Sequence, residues 1–60
     1  MFVRVFDRHL FHKIINTEDI SSILMDRNDE DFYLISLPGE TVAVDESDYQ
    51  KILQFIKPIY

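Results

Sequence analysis

The 60-residue chain has no cysteine, a single glycine and two prolines. The missing cysteine excludes disulfide staples, thiolate metal sites and a cysteine nucleophile. With Gly39 as the only glycine, no glycine-rich loop can cradle a phosphate. No apolar run approaches the roughly 18 residues of a membrane span. Basic side chains are few as well: six Lys and Arg stand against eleven Asp and Glu, for a net charge of −5. A chain this short hides only about 60% of the surface exposed by its unfolded form, so it is marginal when alone. Without disulfides, the remaining supports are an efficient core, a metal held by other ligands, or a second chain.

What is present is apolar and aromatic. Hydrophobic residues make up 47% and aromatics 13%, too rich for a disordered chain despite the charge. The N-terminal segment MFVRVFDRHLFHK alternates and carries charge, unlike a signal peptide or anchor. The expectation is a single domain over residues 1–60 that is soluble and cytoplasmic, with no membrane partner. Charge is unevenly spread. Residues 1–15 carry Arg4, Arg8 and Lys13 against Asp7, a net +2; residues 16–50 carry ten carboxylates against Arg27 alone, a net −9; Lys51 and Lys57 follow. Nucleic-acid binders need a basic footprint to displace counterions from phosphates, and the acidic middle opposes one. It suits a larger protein with a basic surface, or serves only as a solvated face.

Periodicity places the elements. Phe2–Phe6 reads as a strand with Val3 and Val5 on one face, and Phe2, Arg4 and Phe6 on the other. Asp7-Arg8-His9 reads as a turn and Leu10–Ile15 as the second strand. Asn16-Thr17-Glu18-Asp19 is turn chemistry with room for one helical turn. Ser22–Met25 is a short third strand, and residues 27–31 an exposed loop. Phe32–Leu37 is the clearest strand. Pro38-Gly39 fits a type II turn, followed by a strand over Thr41–Val44. Asp45 is a helix N-cap with Glu46 and Asp48 in the first turn. Val44 and Tyr49 are spaced as a hydrophobic staple. Tyr49, Ile52, Leu53 and Ile56 form one apolar stripe, and Pro58 stops the helix near Ile56.

The fold class is therefore α+β: a small antiparallel sheet of four to five short strands with one C-terminal amphipathic helix packed on it. The helix covers one sheet face only. Yet the first, second and fourth strands carry apolar residues on both faces, where a sheet with one wet face should alternate cleanly. A second copy of the chain is the simplest cover, with Phe2, Phe6 and Phe11 as dimer-interface candidates. The alternative is a sheet that curls into a small barrel and covers itself.

Catalytic and metal chemistry find little support. His9 and His12, three apart on a strand, would face opposite sides and not chelate together. Asp26, Asn28 and Glu30 occupy the first ligand positions of a calcium loop, but Asp31 replaces its glycine and Leu37 its bidentate glutamate. Ser21, Ser22, Ser36 and Ser47 have turn, strand or cap roles, and none sits in a nucleophile elbow. A 60-residue sheet leaves little room for a substrate pocket of a few hundred Å3. The expectation is a protein that is not an enzyme, with no catalytic residue, no metal and no cofactor. Aromatic platforms for single strands come with a basic groove, so Phe2, Phe6, Phe11, Phe32 and Tyr33 read as core or interface residues.

From Lys13 onward the pattern resembles the FlbD family of small flagellar-operon proteins. The matching residues are Asn16, Ile20, Ile23, Ile35, Leu37, Gly39, Val42, Val44, Glu46, Ser47, Ile52 and Ile56. The resemblance implies a topology of hairpin, second hairpin with a glycine turn, and short helix. It also implies a flagellar accessory role. The N-terminal turn departs from it, with Asp7-Arg8-His9 where that family has Asn-Gly. The same element order is similar to a trimmed LytTR-type DNA-binding domain, a function that the acidic charge opposes. Very short, acidic, cysteine-free chains with surplus apolar surface also resemble, in composition, phage-encoded inhibitors of host enzymes or defence systems.

The leading expectation is thus a non-catalytic protein-binding module, a small homodimeric inhibitor or regulator of a larger protein. A FlbD-like accessory factor is the alternative, and a nucleic-acid binder ranks last. Asp29, Glu30, Asp31, Phe32 and Tyr33 are the partner-binding candidates, offering charge for encounter and aromatics for grip.

Overall fold

The computed structural model describes residues 1–56. In chain order the elements are β1 (Phe2–Phe6), β2 (His12–Asn16), a 3-10 turn (Thr17–Asp19), β3 (Ser22–Met25), β4 (Phe32–Leu37), β5 (Glu40–Asp45) and α1 (Glu46–Leu53). The α+β class holds, but the strands form two antiparallel sheets where one of four to five was expected. β1 pairs with β2, and β3-β4-β5 make the second sheet.

The separation has its cause in two long-range contacts at the outer edge of β1. The Phe6 backbone N–H donates to Asp48 Oδ2 at 2.8 Å, and Lys51 Nζ donates to the Arg4 carbonyl at 2.6 Å. Two helix side chains thus take edge positions that a neighbouring strand would need.

β1 and β5 bury one face by alternation, β2 and β4 each contribute one fully buried residue, and β3 contributes only the half-buried Ile23. Val3, Val5 and Ile15 come from the first sheet, Ile35, Val42 and Val44 from the second, and Ile52 from α1; together they form one core. Register aligns them, with Val3 opposite Ile15 and Ile35 opposite Val42. Both sheets and the helix therefore share the core, and Phe2 and Phe6 are left on the outside of the hairpin.

Pro38-Gly39 joins β4 to β5 as a two-residue hairpin, and Gly39 has φ 78°. Proline suits the first central position of a type II turn and glycine the second. At the next junction Asp45 caps α1, its Oδ1 accepting from the Asp48 N–H at 2.9 Å. Val44 is buried, and Tyr49 packs against the core as the staple spacing requires.

The helix is shorter and differently turned than its sequence pattern suggests. It ends at Leu53, and Phe55 and Ile56 continue in tight turns bonded to the Ile52 and Leu53 carbonyls. Ile56 still packs on the core. Leu53 does not: it is 38% exposed, whereas Ile52 is fully buried. The buried face is centred nearer Asp48, and at about 100° per residue this turns Leu53 outward. Pro58, read as the residue that stops the helix, lies outside the described residues. Among the described residues, no helix is long and apolar enough to cross a membrane.

Candidate functional site

The outer face of the β1–β2 hairpin is the largest departure from a simple apolar-in, polar-out pattern. Register places Phe2 opposite Asn16, Arg4 opposite Ile14, and Phe6 opposite His12 on this face. Phe2 is 72% exposed and Ile14 68%. The Phe6 and His12 rings meet edge to face at 4.4 Å. Phe11, immediately before β2, is also largely exposed. The three aromatic residues named from sequence as interface candidates are thus all on the surface of one hairpin. Ile14 and Leu10 join them, and neither stood out in sequence because their alternation fits an ordinary strand.

Leu10 carries a second signal. It has φ 65°, a left-handed conformation that costs a side-chain-bearing residue roughly 1–2 kcal/mol. The loop forces this geometry. The Asp7 N–H donates to the Phe11 carbonyl at 3.0 Å and the Leu10 N–H to the Asp7 carbonyl at 2.9 Å. This is a three-residue hairpin loop whose last residue must turn left-handed. The Asp7 carboxylate holds it, with Oδ1 accepting from the His9 and Phe11 N–H groups. Burial works against the Asp7 carboxylate, but these two backbone donors prevail and hold its pKa below the usual carboxylate value. The expected strand over Leu10–Ile15 therefore begins at His12. Leu10, 78% exposed, presents an apolar side chain where glycine or asparagine would sit without strain.

Behind the loop lies an open cleft of about 310 Å3, lined by Asp7, Arg8, His9, Lys13, Asp26, Leu34 and neighbouring residues of β5. The sequence left little room for such a cleft; it exists because the loop folds over the second sheet. Its volume is near the lower end of ligand pockets, roughly 300–1,000 Å3. Its charges are already matched. Arg8 pairs with the buried Asp26 carboxylate and lies over the Phe32 ring at 5.2 Å, and Lys13 pairs with Glu40 at 3.0 Å. The Asn28 N–H, and then the Arg8 guanidinium, hold Asp26 below its ordinary pKa. Asp7 and Asp26 are both ionised at neutral pH, so neither is poised to deliver a proton.

The five partner-binding candidates sit together in the chain but not on one surface. Glu30 and Asp31 are exposed, while the Asp29 carboxylate accepts from the Asp31 N–H within its own turn. Phe32 and Tyr33 are half-buried on opposite faces of β4. Phe32 meets Arg8. Tyr33 stacks on Tyr49 with ring centroids 3.8 Å apart. The Glu46 carboxylate beside its hydroxyl pushes the Tyr33 pKa up and is itself lowered. Asp26, read as the first position of a cation loop, spends its carboxylate on Asn28 and Arg8. Among the described residues, no three His, Asp or Glu side chains are grouped to hold a metal ion. No family model, curated protein or solved structure matches the chain.

Proposed function

We propose that this chain is a non-catalytic protein-binding module that works as a homodimer and acts by occupying a larger protein. One observation carries the reading. The hairpin loop bears backbone strain at Leu10 while presenting that side chain to solvent, next to exposed Phe11 and an outer face holding Phe2, Phe6 and Ile14. Strain held in place by several hydrogen bonds, with no gain to the core, is the kind that marks a working surface. Clustered exposed apolar side chains mark association sites.

The charge pattern supports a protein partner over nucleic acid. Arg8 and Lys13 are engaged with Asp26 and Glu40, which leaves fewer free cations for phosphates. The acidic loop at Glu30 and Asp31 would steer a basic partner.

Leu10→Gly separates structure from function. Glycine relieves the left-handed strain, so the variant should unfold at higher denaturant, by about 1 kcal/mol. The same variant, and Phe11→Ala, should retain less of whatever protein the immobilised wild-type chain captures from a bacterial lysate. An identical retained set for the wild type and both folded variants would refute the reading.

A further inference from the structure

The two edges of the β1–β2 hairpin differ. The Met1 carbonyl accepts from the Thr17 N–H and the Asp7 N–H donates to the Phe11 carbonyl, just beyond the two ends of β2, so the alternate positions Val3 and Val5 bond inward to β2. Arg4 and Phe6 face outward, where Lys51 and Asp48 of the helix bond to the Arg4 carbonyl and the Phe6 N–H. On β2, Lys13 and Ile15 bond inward opposite Val5 and Val3, which turns the N–H and C=O groups of His12 and Ile14 away from the sheet. Among the described residues, no backbone or side-chain group bonds to these outward groups. One edge is closed by the helix and the other is open.

We propose that β2 is the assembly edge, where two copies of the chain pair antiparallel about a two-fold axis at Ile14. The hairpins then join into one four-stranded sheet. This rests on the homodimer reading above and names the surface that makes it.

An open strand edge accepts an extended backbone, and three features select a second copy. First, the edge is self-complementary. With Ile14 opposite Ile14 of the second copy, each His12 faces an Asn16, so an imidazole meets a carboxamide on both sides of the axis. Second, charge permits it. β2 lies in the basic part of the chain and carries no carboxylate. The two outer strands of the second sheet are acidic at their ends: β3 is bracketed by Glu18, Asp19 and Asp26, and β5 begins at Glu40 and ends at Asp45. Copies meeting there would bring like charges together. Third, the assembly closes. Because α1 covers the β1 edge, pairing at β2 ends at two chains and does not propagate.

Two probes test the edge. A synthetic chain with N-methylisoleucine at position 14 replaces the outward donor with a methyl group and leaves the inward-bonding groups of Lys13 and Ile15 unchanged. Its mass by light scattering should fall to 7.2 kDa, with an unchanged circular dichroism spectrum. In the second probe, Ile14→Cys supplies the only thiol in the chain. Antiparallel hydrogen-bonded partners have Cα atoms about 5.5 Å apart, within disulfide reach. Mild oxidation should therefore give a covalent dimer more than about tenfold faster than for the exposed control Met25→Cys, because symmetric pairing raises the local thiol concentration. If the N-methyl chain fails to fold, the cysteine comparison decides. A dimer whose Ile14→Cys form cross-links no faster than Met25→Cys would overturn the β2 edge and leave the homodimer standing. An unmodified chain that stays at 7.2 kDa at every concentration would overturn both.

Discussion

Asp48, in the first turn of the helix, accepts a hydrogen bond from the Phe6 backbone N–H at 2.8 Å across 42 residues of chain. The contact fastens the helix to the edge of β1. Asp48 is largely buried, so its carboxylate is at once a helix-terminus charge and a substitute for a strand partner.

Removing that acceptor should be costly. Asp48→Ala leaves the Phe6 N–H unpaired in a partly buried position, which should destabilise the fold by about 1–3 kcal/mol. Asp48→Asn keeps an acceptor oxygen and should cost less. Amide hydrogen exchange gives the site-specific check. The Phe6 amide should lose protection in Asp48→Ala more than the other β1 amides do, and uniform loss across β1 would contradict the contact.

The orientation of the helix predicts an asymmetry between neighbours. Ile52→Ala empties a fully buried position and should cost about 2–5 kcal/mol. Leu53→Ala acts on a side chain with substantial exposure and should cost less than about 1 kcal/mol. Urea midpoints of the two variants check this, and a larger loss at Leu53 would place the buried face elsewhere.

These two positions show what sequence can and cannot reveal. The β4–β5 hairpin was legible because alternation over Phe32–Leu37 and the Pro38-Gly39 pair are local signals with local causes. The Asp45 cap was legible for the same reason. The apolar stripe includes Leu53, and nothing in the chain announces that Asp48 claims part of the buried face. Leucine is not a turn residue, so Leu10 fits a strand in the sequence, and only the bonds of Asp7 reveal the loop. The split into two sheets depends on Asp48 and Lys51 reaching β1, which is a tertiary event. Of the surface, Phe2, Phe6 and Phe11 were visible as surplus aromatics, whereas Ile14 and the open β2 edge needed the register.

Stability should fall in acid. Asp26, and Asp7 against its own burial, have folded pKa values below the ordinary carboxylate value of about 3.9. A group lowered by folding adds stability that is complete above the unfolded pKa and disappears as pH drops through the folded one. Urea midpoints should hold from neutrality to about pH 5 and then decline below about pH 4. The decline should be shallower in Asp7→Asn with Asp26→Asn. An equally steep decline in that double variant would show that these two carboxylates do not govern it.

The acidic loop should act through long-range charge. Once a partner is in hand, Asp29→Lys with Glu30→Lys should weaken binding at low salt and matter less at high salt, since exposed charges are screened within about 8–10 Å at physiological ionic strength. Tyr33→Phe keeps the stack on Tyr49 and should bind like the wild type. Tyr33→Ala removes the stack and should lower stability and affinity together. Unchanged affinity in the lysine double variant at low salt would remove the loop from the binding surface.

The most direct test of self-association is the mass of the native chain over about a hundredfold dilution, read by light scattering, because a dimer must obey mass action. A homodimer should show a mass near twice 7.2 kDa when concentrated, falling toward 7.2 kDa on dilution, and a mass fixed at 7.2 kDa throughout would contradict it.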